Sequence, residues 1–146
     1  MKKIKGVIDM KIIMCIEERG GILFNKRRVS SDRIVSEDIL KHIKGESLWM
    51  SSYTFKLFHD FHQDQIKVHD DFWKMAENHA YCMVEEKVPD ELWAKVEEVI
   101  LYKWHRKYPY DLAFSCQKLE GQFDLAHTSE LKGYSHKKIT KEVYKR

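Results

Sequence analysis

The seven residues MKIIMCI at positions 10–16 constrain this chain more than any other stretch. All but Lys11 are apolar and three are isoleucine; the seven are too few for a helix of ordinary length, and they stop against the polar Glu17-Glu18-Arg19. Such a run predicts a strand buried on both faces, the kind that lies inside a sheet with layers packed above and below. Gly20-Gly21 marks a turn after it. Ile22 to Phe24 is a brief apolar continuation before the basic Lys26-Arg27-Arg28.

Helical spacing takes over next. Val35, Ile39 and Ile43 recur at every fourth position, Leu40 widens the stripe, Ser30 and Ser31 are the candidate N-caps, and Gly45 closes the end. Leu48-Trp49-Met50 predicts a short core strand. Residues 54–61 predict a one-sided helix, 65–69 a strand, 71–78 a short helix and 80–84 another apolar strand. Pro89 opens a helix carrying Leu92 and Val96, which yields to a strand over 99–104. Residues 111–116, 123–131 and 138–145 are three more strand candidates, with Gly121 and Gly133 as punctuation. Helices and strands alternate early and strands follow strands late. The expected fold class is therefore α/β: a single domain over 10–146 with a central mixed β-sheet flanked by helices. Residues 1–9 carry lysines and few apolar side chains, so they are expected to be a dispensable N-terminal extension.

Composition removes several function classes. Lys and Arg number 26 against 23 Asp and Glu, a net charge of only +3, which calls for neither nucleic acid nor an anionic membrane as partner. Six Gly and two Pro argue against low complexity and against Gly-rich phosphate loops. Cys15, Cys82 and Cys116 are widely spaced with no CxxC pair, as expected of thiols in a reducing cytoplasm. No apolar run approaches the roughly 20 residues of a membrane span. The expected localisation is cytoplasmic.

Three stretches then carry a resemblance. IIMCIEERGGI at 12–22 looks like the first strand and following loop of the dihydrofolate reductases, and LWMSSYTFKLF at 48–58 looks like their V-I-M-G-R-x-T-W-x-S-I segment. FDLAHTSELKGYSHKKITKEVYKR at 123–146 resembles their closing hairpin, with its Gly-x-Ser-His turn and final V-Y-x-R. The resemblance covers most of 10–146 in order and implies that family's fold and its ligand cleft. It also implies an acid near the start of the first long helix to protonate a pterin: Asp38, or, as spacing equally permits, Asp32 or Glu37. The Gly-Arg that helps hold the phosphates of NADPH is replaced by Ser51-Ser52, and of that segment only Thr54 fits. A strand that should end in Gly-Gly is followed by Glu85-Glu86, whose carboxylates would repel phosphates, and the family's Pro-Trp is missing. The implied protein is a shortened relative with no cofactor, binding an unknown small molecule without NADPH-dependent reduction. Its pocket would lie between the first strand, the 31–43 helix and the 99–104 strand, with Arg28, Asp38, Thr54 and Tyr102 as ligand-binding candidates.

The overall pattern is also similar to short bacterial proteins that carry the name ribonuclease Z, which would imply a metal-dependent phosphodiesterase processing RNA. That chemistry needs an HxHxDH run, and the nearest string here is His59-Asp60-Phe61-His62. Zinc needs a third protein ligand beyond two such histidines, so no metal site is expected. The acids Asp32, Glu37 and Asp38 read equally as helix N-terminal charges. Lys26-Arg27-Arg28 reads as a solvated loop or an anion cradle. Lys137, Lys138, Lys141 and Lys145 read as guards of an edge strand, with RNA binding the sharper alternative. Tyr102, Trp104, Tyr108 and Tyr110 are spaced by two over much of their run and would line a pocket, fill a core, or form the aromatic face of a homodimer. Cys15 reads as a buried small hydrophobe. A non-enzymatic interaction module is the alternative function.

Overall fold

A computed structural model of the protein describes residues 9–146. Of the expected extension, residues 1–8 lie outside the described residues, and Asp9 is buried, its amide donating to Asn78 Oδ1 at 2.8 Å.

The chain runs β1 (Met10–Ile16), β2 (Gly21–Phe24), β3 (Arg27–Arg28), α1 (Arg33–Ile43), β4 (Leu48–Met50), α2 (Ser52–Phe55), β5 (Ile66–Val68), α3 (Phe72–Met75) and β6 (Ala80–Met83). A 3-10 turn (Asp90–Lys95) leads into β7 (Val96–Lys103), followed by β8 (Leu112–Ala113), a second 3-10 turn (Cys116–Leu119), β9 (Asp124–Leu131) and β10 (Ile139–Lys145). Seven strands form one mixed sheet in the order β5-β4-β6-β1-β7-β10-β9, and β3-β2-β8 form a small second sheet. Strand β1 pairs in parallel with β6 and β7, while β10 runs antiparallel to β7 and β9. The fold is a single α/β domain built on a mixed sheet, as the pattern predicts.

β1 has a core on each side because its alternate residues meet different layers. Met10, Ile12, Met14 and Ile16 pack with Val99, Leu101, Phe72 and Phe114, whereas Ile13 packs with Val35, Ile39 and Ile43 of α1. Those three α1 side chains are almost wholly buried, and at about 1.5–3 kcal/mol each they hold the helix against the sheet. The turn after β1 is fastened by Glu17, whose carboxylate accepts from the amides of Arg19, Gly21 and Tyr108. A Cβ on Gly21 would come within 2.7 Å of Glu17 Cγ and of the Tyr110 ring, so only glycine fits there.

Five expectations need correction. Asp32, not Ser30 or Ser31, caps α1: its backbone is extended (φ −154°, ψ 131°) and its side chain accepts from the Ile34 amide. The helix expected over 54–61 stops at Phe55 and continues as turns, although Phe58 is still fully buried. Pro89 precedes a 3-10 turn instead of a long helix, so the strand begins earlier, at Val96. The strand expected over 111–116 shrinks to Leu112–Ala113, which pairs with β2. Strand β10 is interior, because β9 lies outside it; Lys141 is therefore buried, not a guard of the edge.

Candidate functional site

Strands β1, β4 and β6 are parallel, so their carboxyl ends reach the same edge of the sheet, where ligand crevices form in open α/β sheets. The segments leaving that edge are Glu17-Glu18, Ser51-Ser52 and Glu85-Glu86. The β2–β3 hairpin folds back toward them and delivers Arg28. Its guanidinium grips Glu85 with two bonds, Nε to Oε2 at 2.8 Å and Nη2 to Oε1 at 3.0 Å. Thr54 Oγ1 donates to Glu85 Oε1 at 3.0 Å, and the Tyr53 ring lies 4.4 Å from the Arg28 guanidinium carbon. Both charged side chains are mostly buried, at 18% and 8% exposure. Burial, and after it the Glu85 charge, pushes the Cys15 thiol far above its ordinary range, which favours the protonated thiol over the thiolate.

A second cluster braces α1 against the sheet. Tyr102 Oη donates to Asp38 Oδ2 at 2.6 Å, and Lys141 Nζ lies 2.8 Å from the same oxygen. A third cluster forms around Asp32, whose carboxylate takes the amides of Ile34, Tyr134 and Ser135 and meets His136 Nδ1 at 3.1 Å. His136 Nε2 in turn lies 2.9 Å from Ser30 Oγ and 3.3 Å from Tyr108 Oη.

Between β1, α1 and the end of β7 these contacts leave a space of only about 10 Å³, bordered by Cys15, Asp32, Ser36, Glu85 and Trp104. That is roughly the room one water needs. Trp104 is 2% exposed, and among the described residues its indole N–H is the one buried side-chain polar atom without a hydrogen-bond partner.

No protein-family model and no curated protein matches the sequence. Among solved structures, the chain is similar to dihydrofolate reductase from Enterococcus faecalis, complexed with NADP(H) and RAB-propyl. The identity is 12% and the TM-score 0.66, over 94% of this chain and 96% of that one. The fold is that of dihydrofolate reductase.

The sequence resemblance assigns the phosphates of NADPH, in a dihydrofolate reductase, to the segments after β4 and β6. The residues found there do not fit a pyrophosphate. The Ser52 amide and hydroxyl both donate to Asp70 Oδ1, at 3.0 and 2.9 Å, and the Thr54 amide is taken by Ser51 Oγ. Burial, and secondly the nearby Asp70 charge, raises the Glu86 carboxyl above its ordinary range, so acidic groups crowd this corner. One expectation changes: Glu85 is not a bare carboxylate, since Arg28 neutralises it. Of Lys26-Arg27-Arg28, the first two are exposed, as a solvated loop requires, whereas Arg28 is this largely buried partner.

Of the sequence-derived site residues, Arg28 and Thr54 meet on Glu85, and Asp38 and Tyr102 meet each other. The two pairs do not share a contact. Among the three candidate acids, Asp32 borders the residual space but is saturated with donors, Asp38 is held by Tyr102 and Lys141, and Glu37 pairs with Arg33 on the surface. Sequence reasoning missed His136 as part of the site and left Trp104 open between pocket lining and core. The Gly-x-Ser-His turn was the available signal for His136. His59 Nε2 lies 3.0 Å from Asp60 Oδ1, and its Nδ1 lies 3.0 Å from the Lys56 carbonyl oxygen. The aromatic run also divides, because β7 ends at Lys103: Tyr102 and Trp104 are core, and Tyr110 is exposed. No helix among the described residues is long and apolar enough to cross a membrane.

Proposed function

We propose that this chain binds a small molecule in the cleft of its dihydrofolate reductase fold and does not reduce dihydrofolate with NADPH. The observation that carries this reading is the Arg28–Glu85 pair, which closes the cleft beside a buried indole N–H that lacks an acceptor. An unsatisfied buried donor costs about 1–3 kcal/mol, which a ligand acceptor at Trp104 would recover. Arg28 and Thr54 are the groups that turn to the ligand as the pair opens; Asp38 and Tyr102 brace α1. The location in this reading is the cytoplasm, and the partner is a small molecule instead of RNA.

Titration calorimetry with NADPH and an assay of dihydrofolate-dependent NADPH oxidation test the negative half. No binding below about 100 μM and no oxidation are expected, and a low-micromolar Kd overturns it. A thermal-shift panel of pterins and nucleotides tests the positive half. A hit should be lost in Trp104→Phe, and a panel without any hit sinks the reading.

A second reading rests on β9, which is exposed over most of its length, carries the half-exposed Leu125, and forms the outer edge of the sheet. Such an edge can add a strand from a second copy, which would make the chain a dimeric interaction module. Sedimentation equilibrium distinguishes this: a dimer abolished by Thr128→Pro supports it, and a monomer at all concentrations rejects it.

A further inference from the structure

At the opposite end of the parallel strands, three donors from distant parts of the chain converge. Asp9 precedes β1, His79 sits in the turn entering β6, and Glu97 lies near the start of β7, with one ligand atom of each within 4.8 Å of the others. Main-chain bonds build the corner. The Asp9 amide donates to Asn78 Oδ1 and the His79 amide to the Asp9 carbonyl, both at 2.8 Å. His79 holds a φ of 66°, in the left-handed region that a residue with a Cβ avoids. Glu97 is the extra residue of a β-bulge: Met10 faces Val96 and Lys11 faces Glu98, so Glu97 has no partner on β1. A bulge of this kind re-aims a side chain out of the ladder. The result sets Glu97 Oε1 2.7 Å from His79 Nδ1.

An ordinary surface ion pair needs only the histidine and one carboxylate. It calls for neither a third donor from another strand nor a bulge and a left-handed backbone to aim the side chains. We propose that Asp9, His79 and Glu97 form a binding site for a divalent transition-metal ion, with Zn2+ the best match. One imidazole nitrogen and two carboxylate oxygens suit zinc, whereas calcium and magnesium favour oxygen alone and no thiolate is present. Three protein ligands leave a fourth position for water or an incoming group. Glu97 also borders a groove of about 590 Å³ whose lining includes Lys11, Lys141, Lys145, Glu98 and His127.

The test uses the full chain, stripped with EDTA and titrated with Zn2+ by calorimetry, with Co2+ absorption as a second readout. One equivalent is expected, with a cobalt spectrum of nitrogen and oxygen ligation and no thiolate charge-transfer band. His79→Asn keeps a residue that tolerates the left-handed backbone, and Glu97→Gln is nearly isosteric. Each should weaken Zn2+ by about 100-fold or more while melting within a few degrees of the parent. His59→Ala with His62→Ala should bind as the parent does. Absence of saturable binding, unchanged affinity in both site variants, or loss in the His59/His62 variant overturns the proposal. Should His79→Asn melt early, Glu97→Gln and the cobalt spectrum decide alone.

Discussion

Asp32 Oδ2 and His136 Nδ1 lie 3.1 Å apart although 104 residues separate them, and both side chains are almost completely shielded from water. One carboxylate thereby caps α1 and fastens the β9–β10 turn. The Ser135 hydroxyl lies 3.1 Å from Asp32 Oδ2 and 3.0 Å from His136 Nδ1, so it completes the knot.

Removing that carboxylate strands three main-chain donors at once. Asp32→Ala is expected to cost about 3 kcal/mol or more, the sum of a lost cap and of buried charge-assisted bonds. Asp32→Asn keeps the acceptor and should cost about half as much. Urea unfolding measures both, and a loss below about 1 kcal/mol for the alanine variant contradicts the assignment.

The same knot forbids a side chain at Gly133. A Cβ there would lie 2.4 Å from Asp32 Oδ2, an oxygen that cannot move without breaking its bonds. Gly133→Ala should destabilise by about 1–3 kcal/mol. In Asp32→Ala the nearest obstruction is gone and the His136 carbonyl oxygen, 3.0 Å from that Cβ, is what remains, so the double variant should lose less than the two single losses combined.

Asp32 and His42 make stability acid-sensitive in two separate pH windows. Burial opposes ionisation of Asp32, yet donation from Ser135, His136, Tyr134 and Ile34 wins and holds its carboxyl well below the ordinary 3.8. A depressed carboxyl contributes stability that is complete above its unfolded pKa and is lost as pH falls through the folded one, so this limb lies below about pH 4. His42 acts in a higher window. Burial first, and the Lys141 charge second, lower it from 6.5 to about 4. Its neutral ring is the folded form, so stability is complete above about pH 6.5 and falls between there and 4. With the ring half exposed the effect is about 1–2 kcal/mol after screening. Stability measured across pH 4–7 should flatten in His42→Gln while the limb below pH 4 persists.

The Arg28–Glu85 pair predicts an asymmetric response. Glu85→Gln leaves a guanidinium buried without its counter-charge and should cost about 3 kcal/mol. Arg28→Met with Glu85→Leu removes both charges and should restore most of that loss. Glu85→Gly with Glu86→Gly clears the carboxylates and frees Arg28 for a phosphate, so nucleotide affinity is expected to rise by about tenfold or more. Calorimetry with NADPH measures it, and no change would show that the cleft lies elsewhere.

The parts of this fold that could be read from sequence are those set by local periodicity. The mostly apolar run of β1 and the four-residue stripe of α1 each identify their element, because a short apolar run reads as a strand buried on both faces and a four-residue stripe as one buried helix face. Where the outcome depended on distant partners, the residues alone were mute. Ser30, Ser31 and Asp32 are all good caps, and only the Tyr134 and Ser135 amides, arriving from the far end of the chain, select the aspartate. Glu85 reads as an obstacle to phosphate until the hairpin places Arg28 on it. Lys141 reads as an edge guard until β9 covers β10 and Asp38 receives the ammonium. The likeness in the closing hairpin was legible as a turn motif, whereas its role as an anchor for α1 required the fold.

The strand order has a consequence for synthesis. β10 is made after all the other strands of this sheet, yet it sits between β7 and β9. Until residue 145 has left the ribosome, β7 presents one bare margin of hydrogen-bonding groups and β9 has no neighbour to register against. Vectorial folding from the N-terminus can therefore assemble β1, β4, β5 and β6 but cannot seal the sheet. For the few seconds of synthesis between residues 103 and 145 that margin is open, and an added strand from a second nascent copy would compete there with β10.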